Sequence, residues 1–161
     1  MSFLKTLSIE KQNELSIAFK GSIIEAKVNG PCSLYRFAGY MEDGKENNPH
    51  GAWWFSKEVY DDFYQKSKRL NVSFSDFAKA RLALPDAWND KLHIYELHLP
   101  AGSSLTGLKG IAAAQRINGR NKLDKEDKSN FDHIFLMGGH EQYFFDYNEI
   151  KKYPVQQVFR F

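Results

Sequence analysis

Residues 92–100, LHIYELHLP, decide how the rest of the chain is read. Leu92, Ile94, Glu96 and His98 alternate with His93, Tyr95, Leu97 and Leu99, the period of two that a pleated strand imposes on its faces. Pro100 closes the run. Downstream, HIFLM (133–137), EQYFFDY (141–147) and VQQVFRF (155–161) read as three more strands. No helical stretch separates these late strands, which argues against a doubly wound fold.

Upstream the pattern is helical first. Residues 1–28 read as helix, with Leu15, Ala18 and Phe19 on one face and Ile23, Ile24 and Val28 continuing it past Gly21. Asn29, Gly30 and Pro31 stop it. SLYRFAGY (33–40) is a strand with Leu34, Arg36 and Ala38 on one face and Tyr35 and Phe37 on the other. MEDGKENNPHG (41–51) is a polar loop, and AWWFS (52–56) a short aromatic strand. Its last residue, Ser56, is placed to N-cap a helix over 57–70, in which Val59 and Phe63, and Tyr60 and Tyr64, stand at i,i+4. A second helix follows in SFSDFAKARLAL (73–84), with Ser73 and Asp76 resembling a capping box and Phe74, Phe77, Ala78, Arg81 and Leu82 facing inward; Pro85 ends it. Residues 101–117 are small and glycine-dotted and admit a short helix at GIAAAQRI, and 118–130 form a long charged loop.

This order predicts an α+β fold: two small, mostly antiparallel sheets packed as a split sandwich, with N-terminal and mid-chain helices. The whole of 1–161 is expected to be one domain, 1–30 being a helical lead-in. At 161 residues, 42% hydrophobic and 15% aromatic, the chain can bury a sizeable core. Twenty-two basic against 20 acidic residues give a net +2, so nothing in the charge favours nucleic acid, and Lys66, Lys68 and Arg69, or Lys122, Lys125 and Lys128, read as solvated faces. One cysteine, Cys32, allows no internal disulfide and points to a reducing, cytoplasmic setting. The N-terminus carries no apolar leader and no run is long enough to span a membrane, so no membrane partner is expected and export would need a route without a cleaved signal peptide.

Several chemistries find no support. His93 and His98 lie at i,i+5 about Glu96 and point to opposite faces, while His133 and His140 stand seven apart across two glycines; with no HExxH or CxxC, no metal is expected. Walker A, GxGxxG and GxSxG motifs are absent. Three features are unusual for a plain core. Arg36 sits inside a strand between two aromatics, either as an edge or surface cation or, if partly buried, as a guanidinium that needs anions such as a diphosphate. Trp53 and Trp54 must face opposite ways, so one ring could present itself to a cationic heterocycle. In GGHEQYFF (138–145), two glycines lead into Glu141 and Gln142, one on each face of a strand start.

Together LYRF, GAWWFS and GGHEQYFF, in that order, resemble the ADP-ribosyltransferase and NAD glycohydrolase superfamily, its compact bacterial toxin branches in particular. The block LHIYELHLPAGSSLTGLKGIAAAQ is similar to a segment of the glycohydrolase toxins. The resemblance implies a pair of small sheets forming a cleft for bent NAD, held as substrate, and cleavage of the nicotinamide–ribose bond. Arg36 would then bind the phosphates or ribose, Ser56 would steady the nicotinamide ribose, and Trp53, Trp54 and Tyr143 would supply rings at the dinucleotide. Gln142 or Glu141 would hold the ribose hydroxyls as positive charge develops in an oxocarbenium-like transition state. The family pattern of Glu-x-Glu or Gln-x-Glu is replaced by His-Glu-Gln at 140–142, and the Ser-Thr-Ser triplet is missing from the second strand. The glutamine is tolerated in the glycohydrolase branch, which favours hydrolysis while leaving transfer to a macromolecular acceptor open; an immunity protein is an expected partner. The alternative reading is a non-catalytic interaction protein, such as an immunity or adaptor protein. An RNA-directed role ranks third because of the near-neutral charge.

Overall fold

The computed structural model describes residues 3–38, 50–82, 93–113, 115–116, 135–136 and 138–160. Two helices open the chain, α1 (Phe3–Thr6) and α2 (Ile9–Ala18), the latter N-capped by Ser8. Strands β1 (Phe19–Asn29), β2 (Cys32–Ala38) and β3 (Trp53–Ser56) follow, then helices α3 (Lys57–Leu70) and α4 (Phe74–Arg81). The remainder is β4 (His93–Leu99), β5 (Ser104–Ala112), β6 (Gln115–Arg116), β7 (Phe135–Leu136), β8 (Glu141–Phe145), α5 (Tyr147–Ile150) and β9 (Val155–Arg160). Ser56 and Ser73 cap α3 and α4 as expected, each hydroxyl oxygen accepting from the backbone N–H three residues on. Among the described residues no helix is long and apolar enough to cross a membrane.

Seven strands form one antiparallel ladder in the order β1-β5-β8-β3-β2-β4-β9, and among the described residues β6 pairs with β7 alone. The architecture is α+β, as the sequence predicts. Strand β3 is the hinge: Trp53 and Trp54 pair with Phe144 and Tyr143 of β8, whereas Phe55 and Ser56 pair with Tyr35 and Leu34 of β2. Chain geometry forces the two halves to fold over at this point. In the ladder β5, β8 and β3 separate β1 from β2, which in a flat sheet would be roughly 19 Å. Yet only Gly30 and Pro31 connect them, a link that reaches about 11 Å. The β4–β5 link, residues 100–103, lies against it, with the Gly30 N–H donating to the Ser103 carbonyl at 2.8 Å. The sheet therefore bends into two halves that share one core.

That shared core, between the halves, holds Leu34, Trp54, Leu97, Leu99, Leu105, Phe145 and Ile150. Two further cores cover the opposite side of the ladder. One lies under α3 and α4 and includes Tyr35, Phe37, Phe55, Phe63 and Ile94; the other joins Leu15, Phe19, Leu108 and Phe144 beneath the N-terminal helices.

Three sequence expectations fail. The late strands are not free of helix, since Asp146 caps the short α5 (Tyr147–Ile150) between β8 and β9. The helical lead-in ends at Ala18, and residues 19–29 are an 11-residue strand. Gly21 takes a φ of 74° and the register against β5 shifts between Lys20 and Ile24, an interruption a helix would not tolerate. The β-branched Ile23, Ile24 and Val28 then favour the strand, which β5 is present to pair. The short helix at GIAAAQRI is also absent: residues 110–112 finish β5 and Gln115–Arg116 form β6. The small residues there make room for rings, since a side chain at Gly110 would strike Phe19 and one at Gly107 would strike Phe145. Residues 41–49 of the loop expected at 41–51 and the whole loop expected at 118–130, together with Pro85, Leu92 and His133, lie outside the described residues.

Candidate active site

The three motif strands are neighbours. Although about a hundred residues separate LYRF from GGHEQYFF, β8, β3 and β2 stand side by side in the ladder. Period-two alternation then fixes what each contributes to the face between the two halves. On β2 that face carries Leu34 and Arg36; on β3, Trp54 and Ser56; on β8, Glu141, Tyr143 and Phe145. Tyr143 and Phe145 stack at 5.6 Å with 9° between their planes.

Arg36 stands where the β2–β3 pairing stops. Its Nη1 donates to the Trp53 carbonyl at 3.1 Å, an acceptor the ladder leaves beside it. Gly51 lies directly over the guanidinium, and a methyl at that position would collide with it. The segment carrying Gly51 is pinned on three sides: the Trp54 indole N–H donates to the Gly51 carbonyl at 2.7 Å, the Phe145 N–H to the Ala52 carbonyl at 2.9 Å, and a His50 ring nitrogen lies 2.9 Å from the Tyr153 carbonyl. Burial lowers the Arg36 pKa to about 10, which leaves it charged at neutral pH.

Glu141 lies on the same face, about one-third exposed, with the Lys109 ammonium of β5 at 3.5 Å from its Oε2. Tyr143, two residues on, is half-buried. Burial first, and then the negative charge of Glu141 and Glu58, push its hydroxyl pKa up. Burial likewise raises the Cys32 thiol. Carboxylates at 58 and 141 and the Lys109 ammonium thus surround one aromatic ring, and Arg36 supplies a second cation on the same face.

Gln142 and Trp54 do not fit the roles expected for them. Gln142 pairs with Gly110, on the side where Phe19 and Phe144 pack, so its carboxamide points away from Arg36. The residue is 9% exposed, and its carboxamide has no hydrogen-bond partner among the described residues. Trp54 is on the right face but only 1% exposed, with its N–H committed to Gly51, so it offers no ring surface to a ligand. Trp53 faces the other way and packs against Phe19 and Phe144 at 5.4 and 5.2 Å, which makes it part of the N-terminal core. Ser56 caps α3 through its oxygen and keeps its O–H to donate.

One constellation escaped sequence reading. His140 Nδ1 accepts from Arg81 Nε at 3.0 Å, and since a guanidinium can only donate, the ring's proton belongs on Nε2. Nε2 lies 3.0 Å from Asp62 Oδ2, to which Lys66 also reaches at 2.9 Å. Desolvation lowers the His140 pKa; Asp62 works to raise it and Arg81 to lower it. Burial alone would raise Asp62, but Lys66 and His140 outweigh that and hold it below its ordinary value. The ring also meets Phe63 edge-on at 4.8 Å. Both nitrogens are engaged, so this histidine is a fastener. It locks the glycine turn onto α4, where the Gly138 N–H donates to the Ala80 carbonyl and the His140 N–H to the Arg81 carbonyl. Gly138 and Gly139, with φ of 67° and 95°, allow the tight entry that sets the phase of β8. The signal that could have exposed it was Arg81 itself, a cation on the inward face of a helix.

Comparison with family models, with curated proteins and with solved structures yields no match to this chain.

Proposed function

We propose that this chain consumes NAD, cleaving the bond between nicotinamide and ribose. The observation that carries the reading is the juxtaposition of β2, β3 and β8, which puts Arg36, Ser56, Tyr143 and Glu141 on one face where the sheet divides. In this reading Arg36 binds the phosphates or ribose of the dinucleotide, because a desolvated guanidinium gains most from an anion brought to it. Tyr143 offers a ring edge or face to the sugar or heterocycle. Glu141 takes the role that the sequence divided between two residues: its carboxylate faces the reacting sugar and stabilises positive charge at the anomeric carbon as neutral nicotinamide leaves. The Ser56 hydroxyl donates to a ribose oxygen while its own oxygen continues to cap α3.

The balance of the step is simple. The C–N glycosidic bond breaks with its electron pair returning to the pyridine nitrogen, and a water, or a hydroxyl or other nucleophile of an acceptor, forms the new bond to the anomeric carbon and loses a proton. The test is to incubate the full chain with NAD, with and without cytosolic extract, and to measure free nicotinamide and labelled macromolecules. Nicotinamide alone identifies a glycohydrolase, and label transfer an ADP-ribosyltransferase. Silence in both assays overturns the proposal and favours an interaction protein.

A further inference from the structure

A second site lies on the other side of the ladder, beyond α3. Tyr60, Tyr64, Phe74, Val72, Ile94 and Lys68 line a cavity of about 180 Å³. That is below the roughly 300 Å³ at which small-molecule pockets begin, and close to the roughly 150 Å³ of a cavity that holds one benzene ring. The Tyr60 and Phe74 rings meet at 5.2 Å with 46° between planes, which gives the cavity an aromatic wall. Ser67 Oγ is bonded to the Tyr64 carbonyl, so the wall there is effectively apolar.

Charge and exposure give the site a direction. Lys68 Nζ sits 4.3 Å from the centroid of the Tyr64 ring, at the cavity wall rather than at a carboxylate. Among the described residues Lys68 has no carboxylate within ion-pair distance, and the acids around it are engaged elsewhere. Asp61 is held by Lys57, Asp62 by Lys66 and His140, and Glu96 by the Tyr35 hydroxyl. Of the lining residues Tyr64 and Val72 are 40% and 46% exposed, an apolar collar at the mouth.

We infer that this cavity anchors a partner protein through one aromatic side chain flanked by acidic residues. The ring fills a space too small for most ligands, the acids meet Lys68, and the collar receives the adjoining backbone. The site faces the α3–α4 side, away from Arg36 and Glu141, so it does not depend on the NAD reading.

The test uses the full chain and three capped pentapeptides, titrated while backbone amide signals are followed by NMR: Glu-Glu-Phe-Glu-Glu, Lys-Lys-Phe-Lys-Lys and Glu-Glu-Ala-Glu-Glu. The first is expected to saturate with a Kd on the order of 1 mM, the strength one anchored ring supports, and to move signals of residues 64–74. The basic peptide should bind at least about tenfold more weakly, as should the alanine peptide. In Lys68→Glu, an exposed change that leaves the fold intact, the preference between acidic and basic peptides should fall or reverse. Val72→Trp, which covers the mouth, should abolish saturation. Equal binding of all three peptides, shifts mapping elsewhere, or no saturable binding by wild type at 10-fold above that order of concentration would each overturn the inference.

Discussion

Glu141 and Gln142 are consecutive residues of one strand, and the structure gives them opposite employment. Glu141 stands on the face shared with Arg36 and Tyr143, partly in solvent and loosely paired with Lys109. Gln142 turns toward the helices and the N-terminal core, where His140 and Phe144 flank it on the same face. The difference teaches that the pleat, more than residue chemistry, decides which of two plausible side chains shares a face with the arginine. It also separates two kinds of polar group held against the sheet. Arg36 is held at the divide between the sheet halves, where chemistry is proposed, whereas the Arg81–His140–Asp62 chain fastens the strand that carries Glu141.

The sharpest way to break this comparison is to remove charge from one face and compare it with a change on the other. Glu141→Gln should lower NAD cleavage by about 10²–10³-fold, the usual cost of losing one electrostatic stabiliser of a transition state. Its thermal midpoint should stay near wild type, because the lost Lys109 pair is solvent-exposed and contributes little. Steady-state nicotinamide release with calorimetry on the same samples checks both. If Gln142→Glu suffers the larger loss of turnover while remaining folded, the assignment of faces is wrong.

A second test works through packing at the Arg36 end. Gly51→Ala places a methyl against the guanidinium and should cost about 1–3 kcal/mol in urea unfolding, the range for overpacking. Combining it with Arg36→Ala should give less than the sum of the two single losses, since the methyl then has nothing to strike. Strict additivity would mean that Gly51 is required for some other reason.

Much of this was legible in advance, and the misses share a cause. The strands around LYRF, AWWFS, HIYELHL and EQYFF, and both capped helices, follow from local alternation and capping chemistry. Strand β1 did not, because FKGSIIEAKV carries apolar residues at spacings that suit either a helix or a strand, and only the partner β5 decides. The ring-for-glycine exchange between Phe19 and Gly110, 91 residues apart, is equally invisible along the chain. For the site, sequence alone put Glu141 and Gln142 on opposite faces without saying which face held Arg36. That choice depends on the register of β8 against β3, which the glycine turn and His140 set from the far side.

The fastener on the helix side should titrate. The neutral His140 ring accepts from Arg81, so protonation at Nδ1 would put two donors face to face and break that bond. Its folded pKa is lowered, so the unfolded chain binds the extra proton first. Stability from this residue is therefore complete above the unfolded value of about 6.5 and is lost as pH falls through the lower folded value. Wild type should show a smaller unfolding free energy at pH 5.5 than at pH 7.5, and His140→Gln should flatten that difference without abolishing it, the other histidines remaining. An unchanged slope would place the titration elsewhere.

The smallest effect is expected where the sequence suggested the largest. Gln142→Leu keeps the volume of a side chain that is 9% exposed and removes a carboxamide with no partner among the described residues. Burying an amide without a hydrogen bond is unfavourable, so the change should be neutral or slightly stabilising, within about 1 kcal/mol. Turnover of NAD should fall by less than about threefold, since the group faces Phe144 and Phe19 rather than the sugar. The informative contrast is kinetic. A structural role moves the unfolding midpoint and leaves kcat and KM together, whereas a carboxamide that reached the ribose would lower kcat at constant stability. A large fall in kcat for this one variant, with Glu141→Gln nearly normal, would reverse the two faces of β8 and return the reaction to the glutamine.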